Sequence, residues 1–169
     1  MIPPATKTPQ HMLSRVASAL YWMSRYVERA ENSARLIDVQ LNLLLDTLSD
    51  SQEQWQPLVS ISGQPEPFYE KYGEATRENV IEYMVFDEEN ANSIVQCLRK
   101  ARENARSIRE VISSEMWEQI NVFYLSLRDP SVRKRVETRP HEVFDEVKMS
   151  SHTFVGVMDT TMTHGEGWH

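Results

Sequence analysis

The chain has 169 residues, the size of a single domain, and a chain of that length can bury a sizeable core. Its 40% apolar and 25% charged content excludes collagenous, low-complexity and wholly disordered proteins. A net charge of −7 speaks against a polyanion as main partner, so no nucleic acid is expected.

Residues 1–11 carry Pro3, Pro4 and Pro9 and no apolar run. They hold no signal-peptide core and read as a disordered leader. A single helical domain is expected over residues 12–169. No later stretch reaches the roughly 18 successive apolar residues of a membrane helix, so no membrane partner is expected.

From Met12 the texture changes. Val16, Leu20, Met23, Val27, Ala30, Ala34, Ile37, Leu41, Leu44 and Leu48 recur at spacings of four and three. That stripe predicts one very long helix from about residue 12 to about residue 49, with no proline or glycine to break it. Pro57, Gly63, Pro65, Pro67 and Gly73 then confine helix to short pieces. One such piece would carry Trp55, Leu58, Val59 and Ile61, and a packing patch would hold Phe68, Tyr69 and Tyr72. Val80, Ile81, Met84 and Val85 predict a short buried helix. Asp87-Glu88-Glu89 reads as the start of the next, a capping Asp followed by acids in the first turn. Its stripe runs Ala91, Ile94, Leu98, Ala101, Ala105, Ile108 and Ile112. Ser113-Ser114 offers a capping break before Met116, Ile120, Phe123 and Leu127, which reach Asp129-Pro130. Pro140 suits the first turn of a last helix, striped by Val143, Val147, Ser150, Phe154, Val157 and Thr161 and stopped by Gly165 and Gly167. No strand-like alternation occurs. The expected fold is all-α, a bundle of long antiparallel helices with a very long first helix.

Two charged faces stand out. On the first helix Arg25, Glu28 and Asn32 fall within about 60° of one another opposite the apolar stripe, flanked by Arg29, Arg35 and Tyr21. Such a cluster can hold a carboxylate or phosphate through guanidinium contacts, or it can simply pair in solvent, as Glu31 and Arg35 would at i,i+4. Arg99, Glu103, Arg106 and Glu110 repeat the theme on the later helix, widened by Arg102 and Arg109. If the two faces met inside the bundle, the network would be buried and costly, which would point to a specific role.

The segments Met12–Ala17, Leu20–Met23 and Arg25–Asn32, with Ala34-Arg35-Leu36, resemble the opening of the bacterial alpha-E domain proteins, a helical family named for a Glu-Arg pair, here Glu28-Arg29. The resemblance resumes in Ala101–Arg106 and in Ser113–Glu118 followed by Asn121, and it spans residues 12–169. It implies no established activity. It implies company: an ATP-grasp-type ligase and a transglutaminase-like protein, suggestive of a peptide or amide-bond modification system. The candidate binding residues are Arg25, Glu28, Arg29, Asn32, Arg102, Glu103, Arg106 and Glu115. The chain resembles the first half of a longer family pattern, so a separate second-half alpha-E protein is one conceivable partner.

Other constellations are weaker. His164, Glu166 and His169 sit in a Gly-containing tail that makes a poor metal site, and no metal or cofactor is expected. His141 and His152 read as surface or helix-end residues. Cys97 reads as half-buried packing, and as the single cysteine it allows no internal disulfide, which suits a cytoplasmic location. Two function classes remain. One is an interaction or accessory module beside a ligase; the other is an enzyme or small-ligand binder with an Arg/Glu-lined cleft. Because the first helix outruns the others, part of its stripe is expected to lie exposed. A homodimer, or a complex with a second-half protein, would then cover it through Val27–Leu44.

Overall fold

The computed structural model describes residues 9–45, 52–62 and 65–163. Its helices are α1 (Pro9–Leu45), α2 (Gln52–Ile61), α3 (Pro65–Tyr72), α4 (Arg77–Ile81), α5 (Ile94–Ser107), α6 (Ser114–Arg128), α7 (Ser131–Thr138) and α8 (Pro140–Thr163). A π-helical stretch, Glu82–Phe86, continues α4. The fold is all-α, and no strand occurs among the described residues. α1 begins at Pro9, ahead of the expected Met12; the remainder of the expected leader lies outside the described residues, as do Leu48 and the tail with His164, Gly165, Glu166, Gly167 and His169.

Four helices make the bundle. α1 packs on α5 and on α8, and α6 closes the square by packing on the same two. Neighbours run antiparallel: Arg15 near the start of α1 pairs at 3.1 Å with Glu110 just past the end of α5. At the other end, Asp38 of α1 meets His141 at the start of α8. The apolar spacing on α1 is what the bundle uses. Met23, Val27, Ala30, Ala34 and Ile37 are fully buried, Leu41 nearly so, and Ala101 and Ala105 of α5 are likewise buried. Small side chains on both helices permit the close approach that makes α1–α5 the most extensive contact in the fold. The expected exposed stripe is therefore corrected: from Met23 to Leu41 this chain covers it unaided, because α5 and α8 flank it on both sides.

The punctuated middle of the chain folds into a cap of short helices on the later half of α1. α2 packs on α1 and on α4. Gly73, at φ +75°, supplies the left-handed residue that ends α3, its N–H returning to the Tyr69 carbonyl at 3.0 Å. The Thr76 hydroxyl accepts from the Asn79 N–H to start α4. The wide π turn then buries Tyr83, Met84, Val85 and Phe86 in succession.

Asp87-Glu88-Glu89 does not begin α5. The Asp87 carboxylate accepts from the Glu89 N–H at 2.9 Å and closes a turn, Ala91 is exposed in the next turn, and Ser93 is the cap, accepting from the Gln96 N–H. Two residue types compete for the same role here, and the hydroxyl nearer the first apolar run wins. Ser113 caps α6 as expected, accepting from the Met116 N–H. α7, between Pro130 and Pro140, was not expected from the pattern; it buries only Val132 and Val136. Cys97 is fully rather than half buried.

Candidate functional site

The outward side of α1 carries an aromatic end, a charged centre and an aliphatic end. Tyr21 and Trp22 are exposed, with their ring centroids 5.3 Å apart. Next along the face come Arg25 and Glu28, paired with each other at i,i+3, then Arg29 and Asn32, all exposed. Val39 and Leu43 close the row, also exposed. The Arg29 guanidinium lies 5.7 Å from the Tyr26 ring centroid, and Lys100 of α5 lies 5.5 Å from the same ring. Lys100 donates to the Ala91 carbonyl at 3.0 Å, and among the described residues neither cation has an acidic partner. Burial pushes the nearby Cys97 thiol up to about 11, against the pull of Lys100 and Arg29, which leaves it a poor nucleophile.

Beside this charged centre opens a cleft of about 350 Å³. α1 contributes Arg29, Asn32, Ser33 and Leu36; the end of α2 contributes Ile61 and Ser62; Met84 comes from the π stretch, and Asn90 and Asn92 from the loop before α5. One guanidinium, three amides and two hydroxyls line it, with three apolar side chains and no carboxylate. The far wall is fixed. Asn90 donates to the Tyr83 carbonyl at 2.9 Å and accepts from the Asn92 N–H at 3.0 Å, while the Ser62 hydroxyl donates to the Val59 carbonyl at 2.6 Å. The α1 wall is free: among the described residues Arg29, Asn32 and Ser33 make no side-chain hydrogen bond to the protein.

The other expected site residues lie elsewhere. Arg102 donates to Asn121 of α6 and rests between Trp117 and Tyr124, 5.6 and 5.5 Å from their centroids. Glu103 is exposed and sits 3.8 Å from Arg99; Arg106 and Glu115 are exposed. The two charged faces do not meet, because α1 and α5 pack through their apolar stripes and turn their arginines away from each other. The cleft beside Arg29 is lined by that guanidinium and amides, with Glu28 turned to Arg25 and Arg102 committed to α6, while an Arg/Glu-lined recess of about 320 Å³ lies elsewhere, formed by Arg77, Glu78, Glu82, Arg133 and Glu137.

Sequence reasoning missed a polar seam between α1 and α8. Glu31 accepts from Arg35 at 2.6 Å, as expected, and also from the buried Ser151 hydroxyl at 2.6 Å and from His152 at 3.1 Å. Asp38, one heptad on, takes His141 at 2.6 Å and Lys148 at 2.7 Å. Burial works to raise both carboxyls, but the hydrogen bonds they accept outweigh it and hold each below its ordinary value. Lys148 is raised by Asp145 and by Asp38. The signal was present as heptad spacing, since Glu31 and Asp38, like His141 and Lys148, repeat every seven residues beside a stripe. A second such group, Asp87 with Lys71 at 3.0 Å and the Tyr72 hydroxyl at 2.9 Å, ties α3 to the turn before α5. Burial again opposes ionisation of Asp87, and the Lys71 bond again outweighs it.

These features define a helical-bundle domain with an arginine-marked cleft on its longest helix. The chain matches the Alpha-E family, described as a predicted alpha-helical domain with a conserved ER motif, over residues 12–169, and it belongs to that family. Glu28-Arg29 is the only Glu-Arg dipeptide in the sequence, so the motif falls on the charged centre of α1. No curated protein and no solved structure matches the chain. No helix among the described residues is long and apolar enough to cross a membrane.

Proposed function

We propose that this Alpha-E chain is a recognition module that docks onto a partner enzyme through the outward side of α1, with the Glu28-Arg29 turn at the centre of the contact. The observation that carries the reading is the composition of that side. Exposed Tyr21, Trp22, Arg25 and Arg29 are the residue types that anchor protein interfaces, and no element among the described residues covers them. The partner class follows from the resemblance: an ATP-grasp-type ligase, in a system that modifies peptides or amide bonds. A second copy, or a second-half alpha-E protein, would not dock on the stretch from Met23 to Leu41, because that part of the apolar stripe is already spent inside the bundle.

The test is co-elution of the purified chain with the ATP-grasp-type ligase of the same organism on size exclusion with light scattering. A stable complex is expected for the parent, and its loss for Trp22→Asp and Arg29→Glu with helical content unchanged. Co-elution of both variants as tightly as the parent, or no complex with the parent, contradicts the reading. The alternative, a small-ligand binder, is favoured by one specific feature, the cleft beside Arg29.

A further inference from the structure

The cleft has a directional chemistry. Its single charge is the Arg29 guanidinium, free of acidic partners, with the Asn32 amide and Ser33 hydroxyl uncommitted beside it. A guanidinium fork fits a planar carboxylate in two parallel hydrogen bonds, and it does so best where no protein carboxylate competes. Lys100 adds a second positive charge against Tyr26, and the N-terminal end of α5, whose dipole favours an anion, begins just after Asn92. In a chain with 25 acidic and 18 basic residues, a recess without an acid is set apart from the rest of the surface.

The remaining lining says what accompanies the charge. Leu36, Ile61 and Met84 give an apolar wall suited to a side chain, and Asn92 adds an amide to the rim. A volume of about 350 Å³ is at the small end of ligand sites, room for the end of a peptide. A tetrahedral dianion would find a single cation in the lining, since Lys100 rests on Tyr26 outside it, and would set one of its faces against Leu36, Ile61 and Met84, a poorer match than a planar monoanion. We infer that the cleft binds the C-terminal carboxylate of a peptide whose last side chain is apolar, Arg29 holding the carboxylate, Asn32 and Asn92 the amide, and Leu36, Ile61 and Met84 the side chain. The inference rests on reading this side of α1 as a recognition surface and names what it recognises. A carboxylate is also the group an amide-forming system must present.

Calorimetric titration with N-acetyl-alanyl-leucine, its C-terminal amide and inorganic phosphate tests it on the full chain. The free acid is expected to bind in the millimolar range or tighter, and the amide and phosphate at least about tenfold more weakly. Arg29→Gln and Asn32→Asp should each weaken the acid by about tenfold or more, the second by placing a negative charge in the recess, while Arg106→Gln on α5 leaves it unchanged. Equal binding of acid and amide, phosphate binding as tightly as the peptide, an Arg29→Gln titration matching the parent, or no heat from the acid at millimolar concentration overturns the assignment. The two proposals fail separately: a lost ligase complex with intact acid binding removes the docking reading alone, and a retained complex without acid binding removes this one.

Discussion

The two sides of α1 use the same residue types for opposite purposes. Toward α8, Glu31 and Asp38 are nearly enclosed, with side chains 15% and 14% exposed, and each accepts bonds from at least two neighbours. Away from the bundle, Glu28 pairs among the described residues only with Arg25, and Arg29 faces a recess with no acid in its lining. Half-buried charges with full partner sets hold a fold together, and removing one partner strands the others. An exposed cation whose one contact is the Tyr26 ring contributes little to the bundle and keeps its donors free to take a ligand. The Glu28-Arg29 pair therefore lies on the side of the helix that faces away from α8 and the bundle interior.

The largest effect should come from stripping the seam. Replacing Glu31 and Asp38 together with alanine leaves Lys148, His141 and His152 facing a wall without acids, and a loss of about 3 kcal/mol is expected from urea unfolding. Acid should reveal the seam together with the Asp87 group that ties α3 to the turn before α5. Glu31, Asp38 and Asp87 release their protons more readily folded than unfolded, so the unfolded chain binds more protons in acid. Their contribution is complete above the ordinary carboxylate range and is lost as pH falls through their folded values. Tm should therefore fall between about pH 6 and pH 3, and an Asp38→Asn variant should show a shallower fall when melted over the same range. Next comes Arg102→Met, which forfeits the Asn121 bond and two ring contacts and should cost about 1 kcal/mol. The smallest effect belongs to Glu28→Ala. Its exposed pair with Arg25 predicts a loss under about 1 kcal/mol, where a buried Glu-Arg network would have cost several times more. A urea midpoint lowered as far as in the seam variant would erase the distinction between the two sides.

What the sequence disclosed follows from what carries periodic information. The bundle helices were legible because a buried helix face repeats at three and four residues, as Met23 to Leu41 and Met116 to Leu127 do. α7 was not, since two buried valines at i,i+4 are too short a period to stand out from a loop. The π stretch was read as an ordinary buried helix, because Glu82–Phe86 needs no special residue to widen its turn. Arg25, Glu28, Arg29 and Asn32 were found as a cluster by their common face. The cleft was not, because Ile61 and Ser62 at the end of α2 and Asn90 and Asn92 in the loop before α5 reach α1 only through the packing of the cap. The exposed stripe was expected from helix length alone, without the coverage that α5 and α8 together provide.

The role proposed for Arg29 is recognition and not support of the fold. Urea unfolding of Arg29→Gln beside Asp38→Asn tests that division most directly. Arg29→Gln should stay within about 0.5 kcal/mol of the parent, and Asp38→Asn should lose about 1–2 kcal/mol. An Arg29→Gln loss equal to that of Asp38→Asn would contradict it, because the arginine would then be holding the bundle together.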